Sequence, residues 1–351
     1  MAITLTALSD LAALGFDAII DARAPAEYAE DHLPGAISLP VLDDEERARV
    51  GTIYKQVSPF TARKLGAALV AHNVARHLEE SLADKPGGWR PLVYCWRGGQ
   101  RSGSFALILS QIGWRVETIA GGYKAWRALV VKELYDTPVA ARVVVLDGNT
   151  GTAKTDVLHR LKTRGCQVLD LEGLARHRGS LFGHMTGGQP SQKAFECALA
   201  MELSRLDPAR PVVVEAESAK VGNLRLPSHL WAAMGKAPRV IIEASLPERA
   251  RYLTRAYADI VADGERLAGV IELLRHAQSR ETIEAWTALA AAGEFEALAH
   301  DLMLVHYDPR YEKHRARMAV AATTVEAPSL AEADLDDLTA RVADSIAALI
   351  R

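Results

Sequence analysis

The chain has 351 residues, 49% of them hydrophobic and 24% charged, with 41 Lys+Arg against 44 Asp+Glu for a formal net charge of −3. That length and balance predict a globular chain of two domains and give no bulk signal for nucleic-acid binding, although one locally basic face suffices for that partner. No apolar run reaches the roughly 20 residues that span a bilayer, and the N-terminal stretch lacks the basic start of a secretion signal, so a cytoplasmic protein without a membrane partner is expected.

A first apolar run, Ala18-Ile19-Ile20, ends at Asp21 and predicts a buried strand. A second, Pro91-Leu92-Val93-Tyr94, ends at Cys95, after which residues 102–112 have helical periodicity. Residues 116–119 read as another strand, leading through Gly121-Gly122-Tyr123 into a helix that contains Trp126. Short strands alternating with helices predict an α/β fold with a mostly parallel sheet. Residues 134–138 read as a linker. The pattern restarts at 142–146, and the runs 167–171, 211–214 and 239–242 add parallel strands. From Pro247 to Ile350 the text turns helical, with Ala- and Leu-rich amphipathic stretches. The expected division is residues 1–136 for the first domain and 137–351 for the second with its helical C-terminal region.

Of the three cysteines, Cys166 and Cys197 lie in apolar settings and read as core. No zinc spacing or disulfide framework involves them. Cys95 differs. Cys95-Trp96-Arg97-Gly98-Gly99-Gln100-Arg101-Ser102 joins a strand to a helix, where backbone amides turn inward as an anion nest. Arg97 and Arg101 add positive charge, which favours the thiolate and marks Cys95 as a nucleophile or persulfide carrier. Upstream, Asp21-Ala22-Arg23 and His32-Leu33-Pro34-Gly35-Ala36, with Gly122, Tyr123 and Trp126 downstream, resemble the rhodanese family. Asp21 and Arg23 are expected to orient the loop or the substrate, His32 to stabilise its turn, and Trp96 to stack on a base or pack. The Cys-x5-Arg spacing is similar to the loop of dual-specificity phosphatases built on the same fold, so a Cys-dependent phosphatase or arsenate-reductase-like enzyme is the rival. Tyr94 stands where that signature has histidine.

Gly148-Asn149-Thr150-Gly151-Thr152-Ala153-Lys154-Thr155 follows a strand and opens a helix. It fits the P-loop pattern, except that Ala153 replaces the second defining glycine. The loop amides would cradle phosphates, Lys154 would neutralise them and Thr155 would be a ligand for Mg²⁺. Val212-Val213-Val214-Glu215-Ala216-Glu217 is a strand ending in two carboxylates; either one, Glu215 or Glu217, is a candidate Walker B-like acid for Mg²⁺, or both are solvated strand-end residues. No other metal and no redox cofactor is expected. A P-loop small-molecule kinase with an appended sulfur carrier is a further alternative.

Asp170-Leu171-Glu172-Gly173-Leu174-Ala175-Arg176-His177-Arg178-Gly179-Ser180, Pro190-Ser191-Gln192-Lys193-Ala194-Phe195-Glu196 and His306-Tyr307-Asp308-Pro309-Arg310-Tyr311 complete an ordered set. Together with the Cys95 loop they resemble the tRNA 2-selenouridine synthases across both domains. The resemblance implies a transferase acting on wobble 2-thiouridine of tRNAs for Lys, Glu and Gln. It implies geranylation of the sulfur by geranyl diphosphate, then exchange for selenium from selenophosphate, with a selenophosphate-supplying enzyme as partner. Lys154 would act on the departing diphosphate, and Cys95 would carry or direct selenium. Arg176, His177, Arg178, Ser191, Gln192 and Lys193 would then meet diphosphate or the tRNA backbone.

Overall fold

The computed structural model describes residues 2–315 and 320–350. It divides into two compact units, one of residues 1–137 with 190–205, the other of residues 138–189 with 206–351.

The first unit is built on a five-stranded sheet. Its strands are β1 (Ala2–Ile3), β2 (Ala18–Asp21), β3 (Ala36–Ser38), β4 (Pro91–Tyr94) and β5 (Glu117–Ile119), in the order β1-β5-β4-β2-β3. All neighbours are parallel. Central β4 is buried along its whole length, which is why its sequence is an unbroken apolar run rather than an alternating one. The core beneath it gathers Ile20, Val41, Val74, Trp89, Phe105 and Leu109.

Between β3 and β4 the chain forms a helical hairpin that the sequence reading did not resolve, comprising Asp44–Gln56 and Pro59–Glu79. Asp43 and Glu46 close the first helix with a reciprocal capping box, while Ser58 caps the second and Pro59 occupies its first turn, the position where a missing N–H costs nothing. Asn73 Nδ2 donates to Glu46 Oε2 at 2.7 Å and to the Val41 carbonyl at 3.1 Å, so the second helix returns alongside the start of the first.

The predicted linker at 134–138 is ordered helix for most of its length. The helix Gly122–Val131 runs straight into a π-helical turn, Lys132–Asp136, whose Leu134 is buried. The expected 137–351 segment also lends a piece to the first unit. The helix Gln192–Ser204 buries Phe195, and its Glu196 forms an ion pair with Arg127 and accepts from Tyr135 Oη at 2.9 Å. Trp126 Nε1 meets Cys197 Sγ at 3.3 Å. An apolar face on a helix leading out of a P-loop domain reads, in one dimension, like any other core helix. Its partner surface is invisible there.

The second unit has five parallel strands in the order β12-β11-β6-β8-β7, made of β6 (Val143–Gly148), β7 (Gln167–Leu169), β8 (Val212–Glu215), β11 (Arg239–Glu243) and β12 (Ala322–Glu326). A two-stranded antiparallel ribbon, β9 (Lys220–Val221) with β10 (Leu224–Arg225), lies outside it. Val144, Leu146, Val157, Leu161, Val240 and Ile242 fill the core together with Leu338 and Val342 of the helix Leu335–Leu349. Edge strand β12 interrupts the region expected to be helical. Its sequence, Ala-Thr-Thr-Val-Glu, buries only Val325 and so gives little apolar signal. The helices between residues 246 and 302 pack around Trp286 as a separate apolar cluster with Ile260, Ile271, Leu298 and Phe182.

Candidate active sites

In the first unit, Cys95 follows β4 and stands before the helix Gln100–Ile112. Among the described residues no backbone carbonyl accepts from the amides of residues 96–102; the first backbone bond of that helix is Gly103 N to Gly99 O at 3.0 Å. The loop is held from behind by Tyr123 N donating to Cys95 O at 2.8 Å and Lys124 N to Trp96 O at 3.0 Å. The approach is so close that a Cβ on Gly122 would stand 2.2 Å from Cys95 O, and one on Gly98 would stand 2.4 Å from Ile119 O. Both also take positive φ, +56° and +65°. Glycine is required at these two positions on both counts.

The Cys95 thiol sits at the floor of this loop, 3% exposed, with Ser102 Oγ donating to its sulfur at 3.1 Å. Arg97 is exposed. Arg101 is turned away: its Nη1 donates to Glu27 Oε2 at 2.7 Å. Burial raises the Glu27 carboxyl, but its bond to Arg101 and the charges around it win and leave it below the ordinary value. An arginine committed to a carboxylate is not the open fork that binds a phosphoryl group in a Cys-dependent phosphatase.

Asp21 and Arg23 support the loop and do not line it. Both are buried, joined at 2.6 Å; Asp21 Oδ2 also accepts from Tyr94 Oη at 2.6 Å, and Arg23 Nη2 donates to the Asp31 carbonyl at 2.5 Å. The Arg23 guanidinium lies 4.0 Å from the Tyr123 ring centroid. Burial and the neighbouring Asp21 push the Tyr94 phenol far above its usual range, so it remains a donor. Tyr94, immediately before Cys95 and in the place where the phosphatase signature has histidine, is thus anchored on Asp21. His32 bonds the Tyr28 carbonyl at 3.0 Å and stacks on the Tyr28 ring, a turn-stabilising part. Trp96 is half-buried with its ring 5.3 Å from Tyr123.

In the second unit, Gly148, Asn149, Thr150, Gly151 and Thr152 wrap the start of the helix Lys154–Thr163. The first backbone bond of that helix is Val157 N to Ala153 O at 3.0 Å, and no described backbone carbonyl accepts from the amides of residues 153–156. Ala153 takes the left-handed conformation, φ 56° and ψ 27°, that the usual glycine would hold there. Its methyl is buried in the core cluster, and that contact offsets the roughly 1–2 kcal/mol cost of the conformation. Lys154 Nζ folds onto the Gly148 and Asn149 carbonyls at 2.8 and 3.2 Å.

A cleft of about 640 Å³ opens over this loop, lined also by Glu172, His177, Arg178, Glu217, Arg310 and Tyr311. Thr155 Oγ1 donates to Glu172 Oε2 at 2.9 Å, and Glu172 N donates to Glu215 Oε1 at 2.7 Å. Glu172, not singled out by sequence reasoning, therefore stands with two of the residues expected to hold Mg²⁺. The Glu172 and Glu217 carboxyls both border Gly179, where a Cβ would stand 2.7 and 2.6 Å from their Oε1 atoms. Burial, then the neighbouring Glu172, raises Glu217 well above the ordinary carboxyl value; burial also raises Glu172 and Glu215. Among the described residues no His/Cys/Asp/Glu cluster is arranged to hold a metal ion.

Arg178 Nη1 pairs with Asp259 at 2.9 Å and stacks over Tyr257. His177 is buried and lowered by that burial and then by His184, so it is neutral, with an unpartnered Nδ1. Arg176 is exposed and caps its helix with φ 47°. Ser191, Gln192 and Lys193 are not at the phosphate loop. They belong to the first unit, where Ser191 caps the helix Gln192–Ser204, Gln192 bonds Glu196 at 3.0 Å, and Lys193 pairs with Glu30 at 2.6 Å. Their density of donors serves that docked helix.

Beside the cleft lies an apolar cavity of about 80 Å³, walled by Phe182, Ile260, Leu267, Leu298, Leu302 and Met303. It shares Thr150, Ser180, Leu253 and Tyr257 with the phosphate cleft. Only the motif Asp308-Pro309-Arg310-Tyr311 hinted at this neighbourhood. Arg249 grips Asp308 through both carboxylate oxygens at 2.9 and 2.6 Å and donates to the Thr150 carbonyl at 3.1 Å, and Arg310 and Tyr311 reach the cleft.

The sites define a class: a rhodanese-type cysteine loop and a P-loop on one chain. Residues 4–129 match the rhodanese-like domain family and residues 141–270 the family described as tRNA 2-selenouridine synthase AAA domain. The chain is 34% identical over 333 residues to the tRNA 2-selenouridine synthase of Alcanivorax borkumensis, covering 86% of this chain and 90% of that protein. It is 41% identical to that of Aeromonas salmonicida, over 71% and 67% of the two chains, and 38% identical to that of Hahella chejuensis, over 68% and 63%. It belongs to the tRNA 2-selenouridine synthase family. Among solved structures, TT1252 from Thermus thermophilus matches at a TM-score of 0.30 and 21% identity, over 60% of this chain and 98% of that one. No helix among the described residues is long and apolar enough to cross a membrane.

Proposed function

We propose that this chain is a cytoplasmic transferase that replaces the sulfur of wobble 2-thiouridine with selenium in the tRNAs for Lys, Glu and Gln. In the first step the C2 sulfur attacks C1 of geranyl diphosphate. The carbon–oxygen bond to diphosphate breaks, and N3 of the base releases its proton. The loop amides and Lys154 stabilise the departing diphosphate, Lys154 turning from the Gly148 and Asn149 carbonyls to its oxygens. In the second step selenium from selenophosphate attacks C2, the phosphoryl group passes to water, geranyl thiol leaves, and N3 regains a proton. Selenium arrives already reduced, so the exchange consumes no redox cofactor. A selenophosphate-supplying enzyme is the necessary partner.

The observation that carries this reading is the apolar cavity adjoining the phosphate cleft through Thr150, Ser180, Leu253 and Tyr257. A donor with a charged head and a hydrocarbon tail needs both environments side by side. A nucleotide triphosphate has no use for a wall of Phe, Leu and Met. The buried Cys95, with exposed Arg97 two residues on, suits a small anion such as selenophosphate better than a nucleobase. The Glu27-bound Arg101 argues against a phosphatase.

The test is mass spectrometry of nucleosides from 2-thiouridine-bearing tRNA incubated with the full chain, geranyl diphosphate and selenophosphate. The expected course is S-geranyl-2-thiouridine first and 2-selenouridine afterwards. Selenium incorporation at the same rate without geranyl diphosphate would overturn the two-step scheme.

A further inference from the structure

The helical hairpin of the first unit has no part in either loop's chemistry, yet its composition is unlike the rest of the chain. Its four acidic residues, Asp44, Glu45, Glu46 and Glu79, stand at its two ends, and residues 47–78 between them contain six Lys or Arg and no Asp or Glu, in a chain whose acidic residues outnumber its basic ones 44 to 41. At the hairpin's tip three large side chains stand in solvent: Tyr54 is 54% exposed, Val57 71% and Phe60 74%. Lys55, Arg63 and Lys64, all exposed, lie within one helical turn of them in sequence. Nothing in the fold needs two bare aromatic rings there. A solvated helix face is made with charges and Ala, and the far part of the same helix, with exposed Ala67, Ala68, Ala71 and Ala75, is made that way.

We propose that this hairpin is the platform for the anticodon arm of the tRNA, with Lys55, Arg63 and Lys64 on its phosphates and Tyr54 and Phe60 stacked on unpaired bases. The proposal rests on the tRNA-modifying reading above. Two features favour nucleic acid over a protein partner. Aromatic rings interleaved with cations and free of carboxylates match a polyanion that also offers flat faces; a protein surface of mixed charge would be answered by mixed charge. The hairpin is also continuous with the cysteine loop. Arg47 Nε lies 3.7 Å from Glu27 Oε2, the oxygen that holds Arg101 at 2.7 Å, and Ala26 N bonds Asp44 at 3.2 Å. From Arg47 to Tyr54 the helix rises about 10 Å, so the surface leads from the rim of the Cys95 site outward.

The experiment uses the full chain and fluorescence anisotropy with a 2-thiouridine-bearing tRNA and, separately, its anticodon stem-loop, across a salt series. The triple variant K55E/R63E/K64E is expected to lose at least about 30-fold in affinity for both and to flatten the log–log salt slope by about 2–3, near one unit per phosphate contact. Phe60→Ala is expected to lose about 5- to 100-fold while keeping the slope, since stacking is not salt-linked. Transfer of geranyl to a free 2-thiouridine nucleoside should be the same in wild type and triple variant. Affinity within twofold of wild type, with an unchanged slope, overturns the proposal. So does a change of oligomeric state with tRNA binding intact, which would make the patch a contact between copies. If the wild type binds tRNA through the hairpin but forms no geranylated product, the chemical reading fails and the platform stands.

Discussion

The two glycine-bearing loops follow a buried parallel strand and open a helix, and each leaves a run of helix-start amides without backbone acceptors. Beyond that they diverge. The Cys95 loop is rigid and narrow. Glycines lock it from behind, its arginine is spent on Glu27, and a fully buried Asp21–Arg23–Tyr94 network supports it. The Lys154 loop lines open space. Its lysine rests on the loop's own carbonyls, burial raises the nearby Glu217 carboxyl, and an open cleft adjoins an apolar cavity. On the function proposed above, the first would take a small, unchanging ligand and the second a large one whose charge grows during reaction.

The sharpest way to separate the loops is to remove each reactive group. Cys95→Ala should abolish selenium incorporation while S-geranyl-2-thiouridine accumulates in the nucleoside spectrum. Loss of geranylation in that variant would show that the loops do not divide the steps. Lys154→Ala should slow geranylation by about 10²–10³-fold, the usual scale for one preorganised charge-stabilising donor, while a pre-geranylated tRNA still accepts selenium. Single-turnover rates decide it.

Support and cleft should also differ in stability. Asp21→Ala strands the Arg23 guanidinium in the core, so chemical denaturation should show a loss of about 3–5 kcal/mol for the first unit. In the second unit the sign runs through pH. Glu172, Glu215 and Glu217 have folded-state values raised above their ordinary 4.5, so the folded state holds protons that the unfolded chain releases. Their favourable state is fully present below that value and is lost as pH rises through the raised ones. The thermal midpoint of wild type should decline as pH rises through the raised values of these groups, and Glu217→Gln should flatten that decline. A steeper fall in the variant would mean that Glu217 is not raised in the folded state. The smallest effect is expected at Ala153. Glycine there relieves the left-handed strain but gives up a buried methyl, so Ala153→Gly should change stability by less than about 1 kcal/mol and leave diphosphate affinity unchanged in a binding titration.

What the sequence disclosed follows from how each feature is encoded. Unbroken apolar runs announced β2, β4, β6, β8 and β11 because a strand covered on both faces has no polar residue to spare. Edge strand β12, half solvated, left no such trace. The strand–loop–helix placement of Cys95, Lys154 and their glycines was legible because each motif is one short contiguous run. Glu172 was not, since its place beside Thr155 and Glu215 depends on a helix brought across the sheet. Asp21 and Arg23 looked like site residues for the same reason that they are buried: a fixed charge pair beside the loop reads identically whether it faces inward or outward. Ser191, Gln192 and Lys193 misled through composition alone.

The returning segment 190–205 has a consequence for biogenesis. As the nascent chain emerges, the sheet of the cysteine-bearing half is complete by residue 137, but Trp126 and Arg127 still lack Cys197 and Glu196. The missing helix leaves the ribosome only after residues 138–189, which belong to the other half, have been made. A gene cut at the apparent border would therefore yield a fragment with an uncovered tryptophan and an orphaned cation. To be expressed alone, that half needs residues 190–205 supplied on a short tether or in trans.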